Sequence, residues 1–247
     1  MAVNIFQYNY LSRNPIEQAM RHFGKKFNTD KKILDIGCGK KPYAKYFKCQ
    51  YLGLDPFDTQ NADIVADSWD IPSENNIFDG IILNQSLEHI KKTDETIAEI
   101  KRILKPGGIG IITAPQTMKN HGIIVPSKKE ALNNFDKDKL NYWRHDYFRF
   151  TKFGLIYLFR DFEILEIKET SGYFSTILQL INYFLYSLGK ELFFPVYFFN
   201  NILALFLDKL FYFVSKSGVS IFKYFYTITY ESLTLNYILI IKKNSLL

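Results

Sequence analysis

Lys32-Ile33-Leu34-Asp35-Ile36-Gly37-Cys38-Gly39 is the stretch on which the fold turns. Ile33, Leu34 and Ile36 form the short apolar run of a strand covered on both faces. Gly37 and Gly39 carry no Cβ, so the chain can turn sharply there and lie against a ligand. Pro42 suits the first turn of a following helix, where a missing N–H costs nothing. Strand, glycine turn and helix start together make a ligand cradle at the carboxyl edge of an open parallel sheet. Taken alone, a Gly-x-Gly turn is equally consistent with a tight strand–helix connection.

The continuation gives the turn its meaning. Gln50-Tyr51-Leu52-Gly53-Leu54-Asp55 reads as a second strand, and it ends in a carboxylate that can accept hydrogen bonds from both hydroxyls of a ribose. Residues 62–67 read as a third strand ending in Asp67, and residues 76–84 as a fourth ending in Asn84. Leu104-Lys105-Pro106-Gly107-Gly108 leads into a fifth over 109–113. Residues 162–168 alternate apolar and charged as a sixth, and residues 235–241 read as a seventh. Strands alternating with helical patterns make this an α/β chain.

This ordered set of motifs resembles the class I S-adenosylmethionine-dependent methyltransferases, closely over residues 32–115 and more loosely over 140–170. The resemblance implies a Rossmann-like, seven-stranded mixed sheet of order 3-2-1-4-5-7-6, flanked by helices, and S-adenosylmethionine as cofactor. It also implies a cofactor site. The Gly37-Cys38-Gly39 backbone would hold the methionine part, with Asp35 supporting the turn rather than reacting. Asp55, followed by Pro56, would hold the ribose. Asp67 would meet the adenine amine, with Ser68 and Trp69 in the adenine-contacting segment and Asn84 completing the set. Trp69 also suits a partly buried core position. Lys41 departs from the pattern, standing where many members have glycine or another small residue.

Methyl transfer to oxygen requires a proton to be removed at or near the transfer step. The candidate bases are His145, His121 and His89, in that order. His145 lies in the aromatic block 143–153 with Asp146 and Arg149, a block resembling one in methyltransferases of surface-glycan and lipid pathways. That block also reads as a structural hinge, and Glu88-His89 as a local surface pair. The long polar run 115–142, which contains His121, reads as a substrate lid.

Four helices have readable starts. Asn14-Pro15-Ile16-Glu17 predicts one capped by Asn14, with Glu17 at the capping-box position, Ile16, Met20 and Phe23 on one face and Gly24 at its end. Pro42 opens a short helix to Phe47. Thr93 should cap a helix that Pro106-Gly107 stops, and Thr151 one running to Arg160.

The chain has 247 residues and a net charge of +6, enough for one large domain or one domain with a sizeable addition. Its basic residues are dispersed, without a nucleic-acid recognition motif, so nucleic acid is not an expected partner. The two cysteines, Cys38 and Cys49, have no metal-ligand spacing and form no disulfide framework. With no basic start followed by an apolar core, no cleavable signal peptide is expected. These readings place the protein in the cytoplasm.

The unusual part is 171–230, inserted between the last two strands of a methyltransferase domain that otherwise comprises 1–170 and 231–247. It holds 19 of the 40 Phe and Tyr residues. Phe174, Leu178, Ile181 and Leu185 share one helical face, and Ser175, Gln179, Asn182 and Tyr186 another. Leu192 to Leu207 is uncharged but interrupted by Pro195 and Asn200-Asn201. The reading is helices lying in the interface of a membrane, on its cytoplasmic face. The same surface would also serve a helical add-on packed on the domain, or a homodimer. The functional expectation is a methyltransferase acting on a glycan or lipid-linked small acceptor at the membrane surface. The alternatives are an inactive, membrane-tethered binding module and a nicotinamide dehydrogenase.

Overall fold

The computed structural model describes residues 3–57, 60–119, 145–216 and 233–245. His121 and most of the expected lid lie outside these residues, as does the end of the insertion beyond 216. The described elements are α1 (Tyr10–Gly24), β1 (Lys32–Ile36), β2 (Gln50–Leu54), β3 (Phe78–Asn84), α2 (Thr93–Ile103), β4 (Leu104–Pro115), α3 (Lys152–Leu158), β5 (Glu163–Glu169), α4 (Tyr173–Gly189), α5 (Phe194–Ser215) and β6 (Asn236–Lys242).

The strands form one six-stranded sheet of order β2-β1-β3-β4-β6-β5. The first four are parallel, and β6 runs antiparallel between β4 and β5. This is the expected order with the expected third strand removed. That segment makes only an isolated bridge, Leu54 to Ile64, beside β2. Asp63 explains the shortfall. Its carboxylate accepts the Gly53 N–H at 2.7 Å and the Lys41 ammonium at 2.5 Å, so a side chain occupies part of the edge that a ladder would use.

The central strands are buried on both faces, as their unbroken apolar runs require. One face packs on α2 and α3 through Ile97, Ile100, Ile103, Leu155 and Phe159. The other packs on α1 through Ile16, Met20 and Phe23.

Four local readings need correction. α1 begins at Tyr10, with Pro15 inside it, so Asn14 is not its cap. Ser12 bonds Tyr183 of α4 at 2.8 Å, and this packing carries the helix upstream. Glu17 closes no capping box: it accepts the Val3 N–H at 2.8 Å and the Tyr46 hydroxyl. The helix after the first glycine turn shrinks to a 3-10 turn, Ala44–Tyr46. Thr93 is the first residue of α2 rather than its cap, and α2 ends at Ile103, before Pro106. Thr151, by contrast, caps α3, accepting the Gly154 N–H at 3.0 Å.

The insertion forms a helical hairpin. Pro195 sits in the first turn of α5, where proline is tolerated, and Asn200-Asn201 lie within an unbroken helix. The asparagines do not interrupt the helix because their side chains face its partner. Asn182 donates to Asn201 at 3.0 Å and accepts from Asn200 at 2.8 Å. Asp208 accepts the Gly172 and Phe174 N–H groups at 3.2 and 3.1 Å, pinning the start of α4 to the far end of α5.

Candidate active site

The carboxyl edges of β1, β2 and β3 open into a cavity of about 740 Å³. Gly37 and Gly39 line it, with φ of 72° and 46°. A Cβ on Gly37 would collide with the Ser86 hydroxyl at the end of β3, so the cradle closes only around a bare backbone. Asp55 and Pro56 form the next part of the wall. One Asp55 oxygen accepts the Gly39 N–H at 3.2 Å and the other the Phe57 N–H at 3.0 Å. The carboxylate therefore ties the glycine turn to the end of β2. Asp67, Ser68 and Trp69 line the far wall. Ser68 is anchored to Thr96 of α2 at 2.9 Å. Trp69 both faces the cavity and packs on the core, with the Lys92 ammonium 5.3 Å from its ring.

Three expected cofactor residues do not reach the cavity wall. Cys38 turns its sulfur toward Gly53. Asn84 accepts the Thr113 hydroxyl at 2.7 Å, joining β3 to β4. Asp35 is buried and accepts the Tyr51 hydroxyl. Burial pushes its pKa up to about 7, against the lowering effect of that hydrogen bond. Lys41 adopts a left-handed φ of 50°, which accounts for glycine being favoured at such a position.

Two of the three candidate histidines, His89 and His145, are described. His89, ranked last from sequence, lines the cavity. His145 does not, but its carbonyl lies 2.9 Å from His89 Nδ1. Asp146 Oδ1 stands 3.4 Å from the same nitrogen. Both neighbours of Nδ1 are acceptors, so the proton belongs on Nδ1, and Nε2, with Glu88 Oε1 at 3.9 Å, is the basic nitrogen. Arg149 donates to Asp146 at 2.8 Å and holds that carboxylate in place. The link is long-range: the Tyr147 N–H bonds the Glu88 carbonyl at 2.8 Å and carries the 145–149 block to the cavity. Glu88 is wholly buried, and desolvation pushes its pKa up to about 8, with Asp146 adding to the rise.

Gln85, Ser86 and Tyr147 also line the cavity and were missed from sequence. Gln85 holds a left-handed φ of 49°, a strained turn that no residue type announces. Among the described residues no cluster of side chains could hold a metal ion.

A Rossmann-like sheet with this cradle defines a nucleoside-cofactor enzyme, and comparison with known proteins gives the particular family. Residues 8–173 match the methyltransferase domain family, and the chain belongs to it. The ubiquinone biosynthesis O-methyltransferase of Rickettsia bellii (strain OSU 85-389) is 26% identical over 188 residues, covering 69% of this chain and 73% of its own. Among solved structures, the cyclase SpnF superposes with a TM-score of 0.54 at 18% identity, over 92% of this chain and 80% of that one. Haemonchus contortus phosphoethanolamine N-methyltransferase 2, in complex with S-adenosyl-L-methionine, gives 0.52 at 21%, over 97% of this chain and 56% of that one. These structural likenesses concern the fold. The protein is an S-adenosylmethionine-dependent methyltransferase, which removes the dehydrogenase alternative.

Proposed function

We propose that the enzyme methylates an oxygen of a glycan or lipid-linked small acceptor at the cytoplasmic face of a membrane. The observation that carries this reading is His89 on the cavity wall, with Nδ1 held by the His145 carbonyl and Asp146. A similar ubiquinone biosynthesis O-methyltransferase and the apolar hairpin between β5 and β6 support the acceptor class.

The residues present fit the cofactor. The glycine cradle has no room for a side chain at position 37, which suits close backbone approach by the methionine part. Asp55 suits the ribose hydroxyls, Asp67 the adenine amine and Trp69 the adenine face. When bound, S-adenosylmethionine supplies an already activated methyl group, so alignment of the acceptor accounts for much of the acceleration. His89 Nε2 takes the hydroxyl proton, and Asp146, steadied by Arg149, stabilises the imidazolium that results.

Labelled cofactor incubated with membrane extracts tests this. Transfer into a lipid or glycan fraction that falls about 100-fold or more in His89→Gln, with calorimetric cofactor affinity unchanged, is the expected result. Cofactor binding without turnover on any such fraction would overturn the acceptor assignment.

A further inference from the structure

α4 and α5 are built inside out. Gln179, Asn182, Asn200, Asn201 and Asp208 are buried, while Leu192 in the turn between the helices and Phe199, Phe206 and Phe213 of α5 stand 79, 64, 61 and 77% exposed. A core helix of a water-soluble domain has the reverse arrangement. Only 22% of the most apolar stretch of this hairpin is buried in the protein.

We propose that this hairpin is a lipid seat: it lies in the plane of a bilayer leaflet with its outer side among the acyl chains. Three observations favour lipid over a protein partner. Exposed apolar side chains run from the tip at Leu192 to Phe213 at the far end of α5. Residues 192–207 carry no charge, so the middle of the face is uncharged, and the exposed Lys190, Lys209 and Lys216 stand at its ends, where headgroups would lie. The buried asparagines bond one another and the backbone, with Asn201 donating to the Ile5 and Gln7 carbonyls at 2.6 and 3.0 Å. A segment facing hydrocarbon needs its polar groups satisfied internally in this way.

The same contacts decide against spanning. Ser12 bonds Tyr183 midway along α4, and Phe6 stacks on Phe194 near the tip, with ring centroids 5.2 Å apart. The hairpin is thus fastened sideways to the catalytic domain over its length, and a spanning pose would drag residues 5–12 into the bilayer.

The seat adjoins the active site. The Lys119 ammonium lies 5.5 Å from the Tyr183 ring, and the Lys119 carbonyl accepts from Arg149 at 3.3 Å. Arg149 holds Asp146, which faces His89. A lipid-borne acceptor would therefore reach the basic nitrogen from the side of the protein that the hairpin presents to the leaflet. The inference rests on the membrane half of the proposed function and not on the acceptor, because vesicle binding is read without turnover.

The test is flotation of the full-length protein with neutral phosphatidylcholine vesicles, at low and high salt. A triple variant, Phe199→Asp, Phe206→Asp and Phe213→Asp, is compared with its Leu counterpart at the same positions. The expected result is binding that salt does not weaken, retained by the Leu variant and reduced at least about tenfold in the Asp variant. Cofactor affinity, unchanged in both variants, shows that they are folded. Equal binding by the Asp variant would overturn the proposal, as would binding that needs anionic lipid and vanishes in salt. A wild-type dimer that ignores vesicles and that the Asp variant splits would assign the face to a second copy of this chain instead.

Discussion

At the scale of single residues, the two cradle glycines predict different outcomes. Gly37→Ala meets both a left-handed backbone and the Ser86 hydroxyl. Strain of about 1–3 kcal/mol at a binding site should weaken cofactor affinity about 5- to 150-fold, as read by isothermal titration. Gly39→Ala has open space around the new methyl and bears only the backbone cost, about 1–2 kcal/mol. Equal losses from the two changes would mean that close packing at Ser86 does not shape the cradle. Glu88 predicts a pH effect. Its pKa rises from 4.5 to about 8 on folding, so between these values the folded protein holds a proton that the unfolded chain has released. Stability conferred by this group is therefore fullest below its unfolded pKa and is lost as pH rises toward 8. Asp35, raised to about 7, acts in the same direction. Glu88→Gln should flatten the decline in melting temperature between about pH 5 and about pH 8. An unchanged slope would show that Glu88 does not titrate there.

At the scale of elements, what could be read in advance was local. The β1 strand and its glycine turn were legible because apolar run, bare backbone and following acid lie within a short stretch of chain. Thr151 was legible as a cap because its partner is three residues away. The surroundings of His89 were not, because it acquires its partners from residues 145 and 146 through a backbone pairing that spacing does not encode. The same holds for Asn200 and Asn201. In sequence they interrupt an apolar run, whereas in the fold they are the seam of the hairpin, satisfied by Asn182 and the N-terminal segment. Asn201→Ala should consequently cost about 1–3 kcal/mol in denaturant unfolding, since it strands the Asn182 amide and two backbone carbonyls. A loss below about 0.5 kcal/mol would show that water or lipid takes over these bonds.

At the scale of the whole molecule, a cofactor cradle on one sheet edge and an apolar hairpin from the β5–β6 connection meet at one rim. Arg149, Asp146 and His89 lie between them. If that rim faces the leaflet, where the acceptor sits should govern the rate, and the hairpin should matter only for acceptors dissolved in lipid. Disrupting the outer face with Phe199→Asp and Phe206→Asp should then lower turnover on vesicle-borne acceptor at least about tenfold through the apparent KM. Turnover on a short-chain, water-soluble version of the same acceptor should stay within about twofold, because no group on the cavity wall has changed. His89→Gln should do the opposite, lowering kcat on both forms alike while leaving vesicle binding intact. Parallel losses on both acceptor forms in the hairpin variant would mean that the hairpin shapes the catalytic domain itself rather than its place on the membrane.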